Sequence, residues 1–325
     1  MSIIQPAKLL IAGASPDAVN LNSQLRGYMA RAFESFLPAD SIKNVPYEYA
    51  AETVASFAPS LVLVFGSIMP DACDYSAIKR ATRSVGAHLA FWLHDDPYEF
   101  DYSFKAIETA DTIFTNDRWA AEHYDFPRVF HLPMAACEET HYRDISKYLN
   151  KSNDVFFTGV AFDNRIRIMR ELATVLEGYR TCIRGSGWPP GLPGCRNALI
   201  PNEVLADYYV RSWAVLNLGR DVDLGNERYR LPATTPGLRT FEAAMAGCVQ
   251  LYFVTGLEIE DYFTPDSEIL LFDHTSEVPH ILESILSDPD RALAIARAAQ
   301  NRALKDHSYT ARAQSILKAC FPNGK

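Results

Sequence analysis

Several things are missing from this sequence, and each absence removes a class of function. Its six cysteines, Cys73, Cys137, Cys182, Cys195, Cys248 and Cys320, form no C-x-x-C pair and no metal-finger spacing. That excludes zinc modules and dithiol redox motifs, and a reduced, cytoplasmic protein is expected. No convincing metal site is expected either. No apolar run nears the length of a membrane span, so no transmembrane segment is expected, which still permits peripheral contact with a membrane. The opening MSIIQPAKLL lacks a charged start followed by a long apolar core, so no signal peptide is expected. Basic charge is scarce: the net charge is −9, with 12 Lys and Arg against 19 Asp and Glu in residues 1–150 and 19 against 21 in residues 151–325. A general nucleic-acid groove is therefore not expected. There is no G-x-G-x-x-G fingerprint, no short repeat and no low-complexity tract.

What is present is a folded α/β pattern. Of 325 residues, 48% are hydrophobic and 22% charged, enough for roughly two domains with ample core. Buried strands are expected at Lys8 to Gly13, Leu61 to Phe65, Leu89 to Leu93, Asp111 to Thr115 and Val129 to Leu132. Helices are expected at Val19 to Phe33 and Tyr75 to Val85. Strands alternating with helices imply a parallel sheet covered on both faces, with ligands beyond the carboxyl ends of the strands. Gly13, Gly66-Ser67, His94-Asp95, Asn116-Asp117 and Pro133-Met134 then mark that edge.

Residues 133 to about 148 are polar and irregular and are expected to be a linker. The pattern restarts with strand Asp154 to Thr158, helix Asn164 to Leu176, strand Thr181 to Arg184 and a short strand Ala198 to Ile200. Helix Glu203 to Arg211 and strand Ala214 to Leu218 follow. A long loop, 221–236, precedes the stretch TTPGLRTFEAAMAGCV at Thr234–Val249. Here a Thr-Thr-Pro-Gly turn feeds a helix that ends at Gly247, with a buried strand from Val249 to Val254. Pro236 suits an early helix position and Gly247 a left-handed cap. Arg239 and Glu242 lie three apart and share a face near the helix start. Free amides there, with Arg239 beside them, suit a phosphate, and Glu242 could accept ribose hydroxyls. The alternative is a capped core helix with a surface Arg/Glu pair. Arg220, Arg228, Arg230 and Arg239 lie in or beside the long loop and could neutralise a diphosphate, or simply be solvated. A last strand, Glu268 to Phe272, and helices near 276–286, 290–304 and 307–319 close the chain.

His94-Asp95-Asp96 carries the acid–base potential of the first half. Asp96, Pro97 and Glu99 read as N-cap, first-turn proline and N3 glutamate. Asp95 or His94 could then take a proton from an acceptor hydroxyl, or His94 could be a hydrogen-bonded turn histidine. Consecutive positions rarely converge on one ion, so a metal is not expected there.

The ordered set Phe157-Thr158-Gly159 with Arg165, Arg184-Gly185-Ser186-Gly187-Trp188, Tyr208-Tyr209 to Asn217-Leu218, Thr235-Pro236 with Arg239-Thr240-Phe241-Glu242 and Gly247, and Asp288-Pro289 to His307-Ser308-Tyr309 with Arg312 resembles the donor domain of GT-B glycosyltransferases. More narrowly, it resembles the CgeB-like, "glycosyl transferases group 1" family. Upstream, Trp92 to Pro97 and Leu132 to Ala135 are similar to the first domain of that family. The resemblance implies two Rossmann-like domains facing across a central cleft. Their bounds would be residues 1–148 on the acceptor side and 149–305 on the donor side, with a final helix, 306–325, packing back on the first. It implies a metal-independent transferase with no cofactor, using a nucleotide-diphosphate sugar, a UDP-sugar above others, and a glycan or lipid-linked glycan acceptor. Asp95 and His94 would be the catalytic candidates. Gly13, Arg165, Gly185, Trp188, Ile200, Asn217, Arg220, Thr235, Pro236, Gly237, Arg239 and Glu242 would serve the donor. Many retaining relatives carry a glutamate where this chain has Thr234, which leaves the stereochemical outcome open. An epimerase or hydrolase on the same fold, or a silent nucleotide- or glycan-binding module, are the competing expectations.

Overall fold

The computed structural model describes residues 6–18, 22–69, 73–221 and 224–322. The chain opens with β1 (Leu9–Gly13), α1 (Asn22–Phe33), β2 (Ile42–Val45), α2 (Ala50–Phe57), β3 (Leu61–Gly66) and α3 (Ser76–Ser84). There follow β4 (His88–Leu93), α4 (Phe104–Ile107), β5 (Thr112–Thr115), α5 (Arg118–His123), β6 (Val129–His131) and α6 (Glu138–His141). The second half runs β7 (Asn153–Thr158), α7 (Asp163–Leu176), β8 (Thr181–Arg184), β9 (Cys195–Arg196), α8 (Asn202–Val210) and β10 (Ser212–Asn217). It continues with α9 (Leu238–Ala246), β11 (Val249–Phe253), β12 (Leu270–Phe272), α10 (Val278–Ser287), α11 (Pro289–Asp306) and α12 (Tyr309–Cys320).

The chain divides into two compact units. The first comprises Met1–Pro133, Asp223–Thr235 and Tyr309–Lys325, the second Met134–Val222 and Pro236–Ser308. This differs from the sequence-based division in two ways. The break falls after Pro133 rather than at 148, because the supposed linker folds into α6 and joins the second unit. The stretch 223–235 leaves the second unit and is built into the first.

Each unit holds a six-stranded, all-parallel sheet, in the orders β2-β1-β3-β4-β5-β6 and β12-β11-β10-β7-β8-β9. In the first, Leu9 pairs Leu61, Leu61 pairs His88, Ala90 pairs Thr112 and Ile113 pairs Val129. Buried on both faces, β1 and β3 read as unbroken apolar runs, as doubly covered parallel strands do. Strand order reverses beside β1 in the first unit and beside β7 in the second. Such switch points open crevices at the carboxyl ends of the strands. Both units are Rossmann-like α/β layers.

Most elements fall within a residue or two of their expected limits. Three expectations need correcting. Strand 198–200 is absent; the edge strand is β9, and Ala198 instead accepts from the Gly185 amide at 3.0 Å. β2 and α2 were not anticipated, because Ile42–Val45 is too short and too exposed to show a period. Pro236 precedes the N-cap, Gly237, rather than opening α9. The expected start of α1, at Val19, lies outside the described residues.

Candidate functional site

In the second unit the site is built around the start of α9. Gly237 is the N-cap and has no side chain to cap the first turn, where the Thr240 amide donates to the Gly237 carbonyl at 3.0 Å; an uncapped helix start of this kind suits an anion. A Cβ at Gly237 would meet nothing within 4 Å, so the glycine keeps the approach clear. The far end closes at Gly247, φ +81°, where a Cβ would lie 2.4 Å from Ile145 Cγ1. Only glycine fits there.

Arg239 sits in the first turn with its side chain 43% exposed, and its Nη1 donates to Glu242 Oε2 at 2.6 Å. The same nitrogen reaches Asn202 Oδ1 at 3.4 Å. Glu242 itself is 0% exposed, and its other oxygen lies 3.3 Å from Nε2 of the equally buried His141. Desolvation by its surroundings opposes the guanidinium charge most, but the combined attraction of Glu242 and Tyr209 outweighs it and holds the group charged. Arg239 and Glu242 are thus joined, but Glu242 is an interior group rather than a surface one.

Asn217, at the end of β10, is committed to packing. Its amide donates to Thr240 Oγ1 at 2.8 Å and Gln250 Oε1 at 3.0 Å, while Gln250 donates to the Thr240 carbonyl at 3.0 Å. These bonds dock α9 on β10 and β11. Arg165 lies at the switch point between β7 and β10. Its Nε donates to the Leu218 and Gly219 carbonyls at 3.1 and 3.0 Å, its Nη2 to Leu218 at 2.9 Å, and its Nη1 to Val160 at 3.1 Å. The guanidinium therefore closes the exposed ends of β10 and the 159–162 turn.

Gly185 is buried at φ +142°, and a Cβ there would come within 1.8 Å of the Gly159 carbonyl oxygen. Trp188 folds back over the same turn: its Nε1 donates to the Gly159 carbonyl at 3.0 Å and its ring meets Phe157 edge-on. Gly185, Trp188 and Arg165 thus form one structural knot around Gly159. Ile200 is half-buried beside the cluster of Phe156, Leu205 and Val215. Arg220 is half-buried just beyond β10.

Thr235 belongs to the first unit, and the chain enters the second at Pro236. Thr235 Oγ1 accepts from the Arg118 amide at 3.1 Å, and Thr234 Oγ1 from Trp119 Nε1 at 2.9 Å. The loop before them is also held in the first unit. The Leu224 and Gly225 amides donate to Tyr98, Asp101 accepts from the Glu227 amide at 2.7 Å, and Leu231 is buried in the first core. Arg228 and Arg230 therefore belong to the first unit, and Arg220 and Arg239 to the second.

At the carboxyl end of the first sheet, Gly13 is buried where β1 turns, with Arg26 packed so closely that a Cβ would lie 2.8 Å from its Nη1. Arg26 is in turn bound by Asp17 at 2.8 Å. Gly13 serves backbone packing there. His94 is buried, its ring 3.8 Å edge-on from Phe65 and 5.2 Å from Trp92. Burial pushes its imidazole down to about 3, so it stays neutral at physiological pH and is a weak base. It is not a hydrogen-bonded turn histidine: neither ring nitrogen has a partner among the described residues. Asp95, half-exposed, is the carboxylate left at the edge.

Asp96 is not an N-cap. It is 1% exposed and accepts from Thr115 Oγ1 at 2.6 Å and Tyr124 OH at 2.8 Å. Glu99 is no capping-box partner either: it is fully buried, accepting from Ser67 Oγ at 2.6 Å and the Ile68 amide at 2.9 Å. The segment turns inward instead of starting a helix. Burial raises Asp96 to about 6 and Glu99 to about 8.

Sequence reasoning missed His141, Asn202 and Glu99. His141 lay in a stretch without periodicity, and nothing local links it to Glu242, 101 positions away. Among the described residues no group of three or more His, Cys, Asp or Glu side chains is gathered as metal ligands, and no helix is long and apolar enough to cross a membrane.

The family described as "Glycosyl transferase-like" matches residues 165–318. The spore protein CgeB of Bacillus subtilis is 24% identical over 174 residues, 49% of this chain and 54% of its own length. The chain thus spans about half the length of that curated relative. Among solved structures, a glycosyltransferase from Rickettsia africae superposes with a TM-score of 0.64 at 9% identity, covering 98% of this chain and all of the other. Anabaena HepE in complex with UDP-glucose gives 0.62 at 10% identity, covering 96% and 98%. A UDP-N-acetylglucosamine 2-epimerase from Listeria monocytogenes gives 0.58 at 13%, covering 98% of each chain. At such identities the likeness shows the fold class alone, GT-B, with two Rossmann-like domains.

Proposed function

We propose that this chain, whose residues 165–318 match the family described as "Glycosyl transferase-like", transfers a sugar from a nucleotide-diphosphate sugar, a UDP-sugar first among candidates, to a hydroxyl of a glycan or lipid-linked glycan. The observation that carries the reading is the start of α9, uncapped at Gly237, with the half-exposed Arg239 beside it. A departing nucleoside diphosphate gains negative charge as the glycosidic bond breaks, and fixed donors aimed at it are the largest expected catalytic contribution. Amides and guanidinium would do this without a metal or cofactor. Arg220 lies on the same unit's β10–α9 connection and is a further candidate. Asp95, rather than the buried and neutral His94, is the candidate base, because it keeps exposure at the sheet edge where α/β ligands bind.

A melting series with UDP, GDP, ADP, TDP and CMP tests the donor site. A specific rise with one diphosphate is expected, and no rise with any would remove the reading. Asp95→Asn is expected to leave nucleotide binding unchanged while slowing transfer on the order of 100-fold, the lower range for losing a general base. Equal transfer rates would take Asp95 out of that role.

The likeness to a 2-epimerase supports a second reading, isomerisation of the nucleotide sugar itself. Product analysis separates the two: an epimeric nucleotide sugar formed without any acceptor favours isomerisation, and free nucleoside diphosphate appearing with an acceptor favours transfer.

A further inference from the structure

At the outer edge of the second sheet the last residues of β8 and β9 are both arginines, Arg184 and Arg196. The parallel register sets them opposite each other. Register partners point to the same face, and like charges placed in this way repel. No acid offsets them. Arg184 Nη1 donates to the Ile183 and Gly194 carbonyls at 2.7 and 2.9 Å, which are neutral groups. Among the described residues no carboxylate pairs with Arg184, and the exposed Arg196 side chain bonds to nothing. Cys182, two positions before Arg184 on the same face, is acted on by both. Burial raises its thiol pKa, and the charges of Arg184 and Arg196 oppose that rise.

The backbone that carries the pair is fixed. Gly194, at φ +64°, admits the chain to β9 where a Cβ would lie 1.9 Å from the Thr181 carbonyl oxygen. Just past Arg196, Asn197 accepts from the Trp188 amide at 2.8 Å and donates to the Trp188 carbonyl at 2.9 Å. Protection of a sheet edge accounts for one charged side chain on β9. It does not account for the second, because β8 is an inner strand covered by β9. A rigid frame that holds two guanidiniums together without a counter-charge suits an oxyanion that both can grip.

We propose that Arg184 and Arg196 form a phosphate-binding pair, separate from the helix start at α9. Both residues close the carboxyl ends of their strands, the side on which α/β sheets take ligands. In the sheet order β8 and β9 stand two and three strands from β10, about 10 and 14 Å at ordinary strand spacing. A phosphate monoester carries up to about two negative charges and three acceptor oxygens, which matches two guanidiniums better than a carboxylate does. The phosphate belongs to a molecule other than the donor, either a soluble phosphorylated compound or a lipid. The pair stands whether or not the start of α9 holds a nucleotide.

Melting curves with inorganic phosphate, against sodium chloride at equal ionic strength, test this in the Arg239→Ala background, which lacks the cation at α9. A phosphate-specific rise is expected to persist there. Adding Arg196→Gln should weaken the apparent affinity about tenfold, the lower range for losing a hydrogen bond to a charged group. Arg196 is the variant of choice because its side chain supports nothing in the fold, whereas Arg184 also bonds main chain. Without phosphate, Arg196→Gln should melt at or above its parent, since a repulsion is relieved. No phosphate-specific rise in Arg239→Ala, or an equal rise after adding Arg196→Gln, would overturn the proposal. So would a lower melting temperature of Arg196→Gln without phosphate, which would show that the arginine is paired within the fold. Flotation with phosphatidylcholine vesicles containing phosphatidic acid identifies the source. Flotation that depends on Arg196 assigns the phosphate to a lipid, and phosphate binding without flotation assigns it to a soluble compound.

Discussion

Gly185 shows how one atom can fix a residue's identity. Its φ of +142° and a Cβ position 1.8 Å from the Gly159 carbonyl oxygen leave no room for a side chain. Gly185→Ala is expected to destabilise the second unit by about 3 kcal/mol or more, since backbone strain adds to an overlap that must displace main chain. Urea unfolding measures it. Glu99 makes a pH prediction. Its folded pKa, about 8, lies above the ordinary carboxylate value, so the native state holds the proton more tightly than the unfolded chain. Its contribution is full at acidic pH and is lost as pH rises towards 8. Glu99→Gln should therefore melt increasingly above wild type between pH 5 and pH 8, as read by differential scanning; a constant offset would contradict the assignment. Asp96 acts in the same direction, and its raised value was not legible in sequence. The spacing Asp96-Pro97-Glu99 matched a helix start, but Thr115 and Tyr124, from a different strand and helix, turned the carboxylate inward.

Among elements, the connection between β10 and α9 departs most from expectation. As sequence it is a loop rich in arginine. In the fold it is an arm of the first unit, fastened at Tyr98, Asp101, Arg118 and Trp119 and seated by Leu231. Asn226 braces it internally, its amide bonding both the N–H and the carbonyl of Leu231 at 2.9 Å. Leu231→Ala should cost about 2–4 kcal/mol, the range for a buried leucine truncation, and should raise proteolysis within residues 224–235. Unchanged cleavage there would show that Leu231 does not seat the arm. The elements that sequence located well, β1, β3, β4, β7 and α7, are those with strong apolar runs or a clear helical period. Among those it missed, β2, α2, α5 and α6 are short, and tertiary packing rather than local pattern holds them.

Across the whole molecule, the two parallel sheets present different charged groups. The first unit concentrates acids at its sheet edge: Asp95, Asp96 and Glu99. The second keeps an arginine at an open helix start. A nucleoside diphosphate that binds the native protein and not the unfolded chain should stabilise it by about 2.7 kcal/mol at a hundredfold excess over Kd. Arg239→Ala should abolish that stabilisation while Asp95→Asn preserves it, as read by melting temperature. Loss of stabilisation in both variants would mean that the two groups do not serve separate tasks. The two-unit α/β architecture, the strand–helix alternation, the Gly247 cap and the Arg239–Glu242 pairing follow from the order of residues alone. They depend on periodicity and on spacings of a few positions, which any local stretch carries with it. The inward turn of Asp96 and Glu99, the burial of His94, the transfer of residues 223–235 to the first unit and the closing of His141 over Glu242 were decided only by the tertiary fold. Each joins groups far apart along the chain or depends on which atoms water can reach, and neither quantity exists until the sheets and helices have packed.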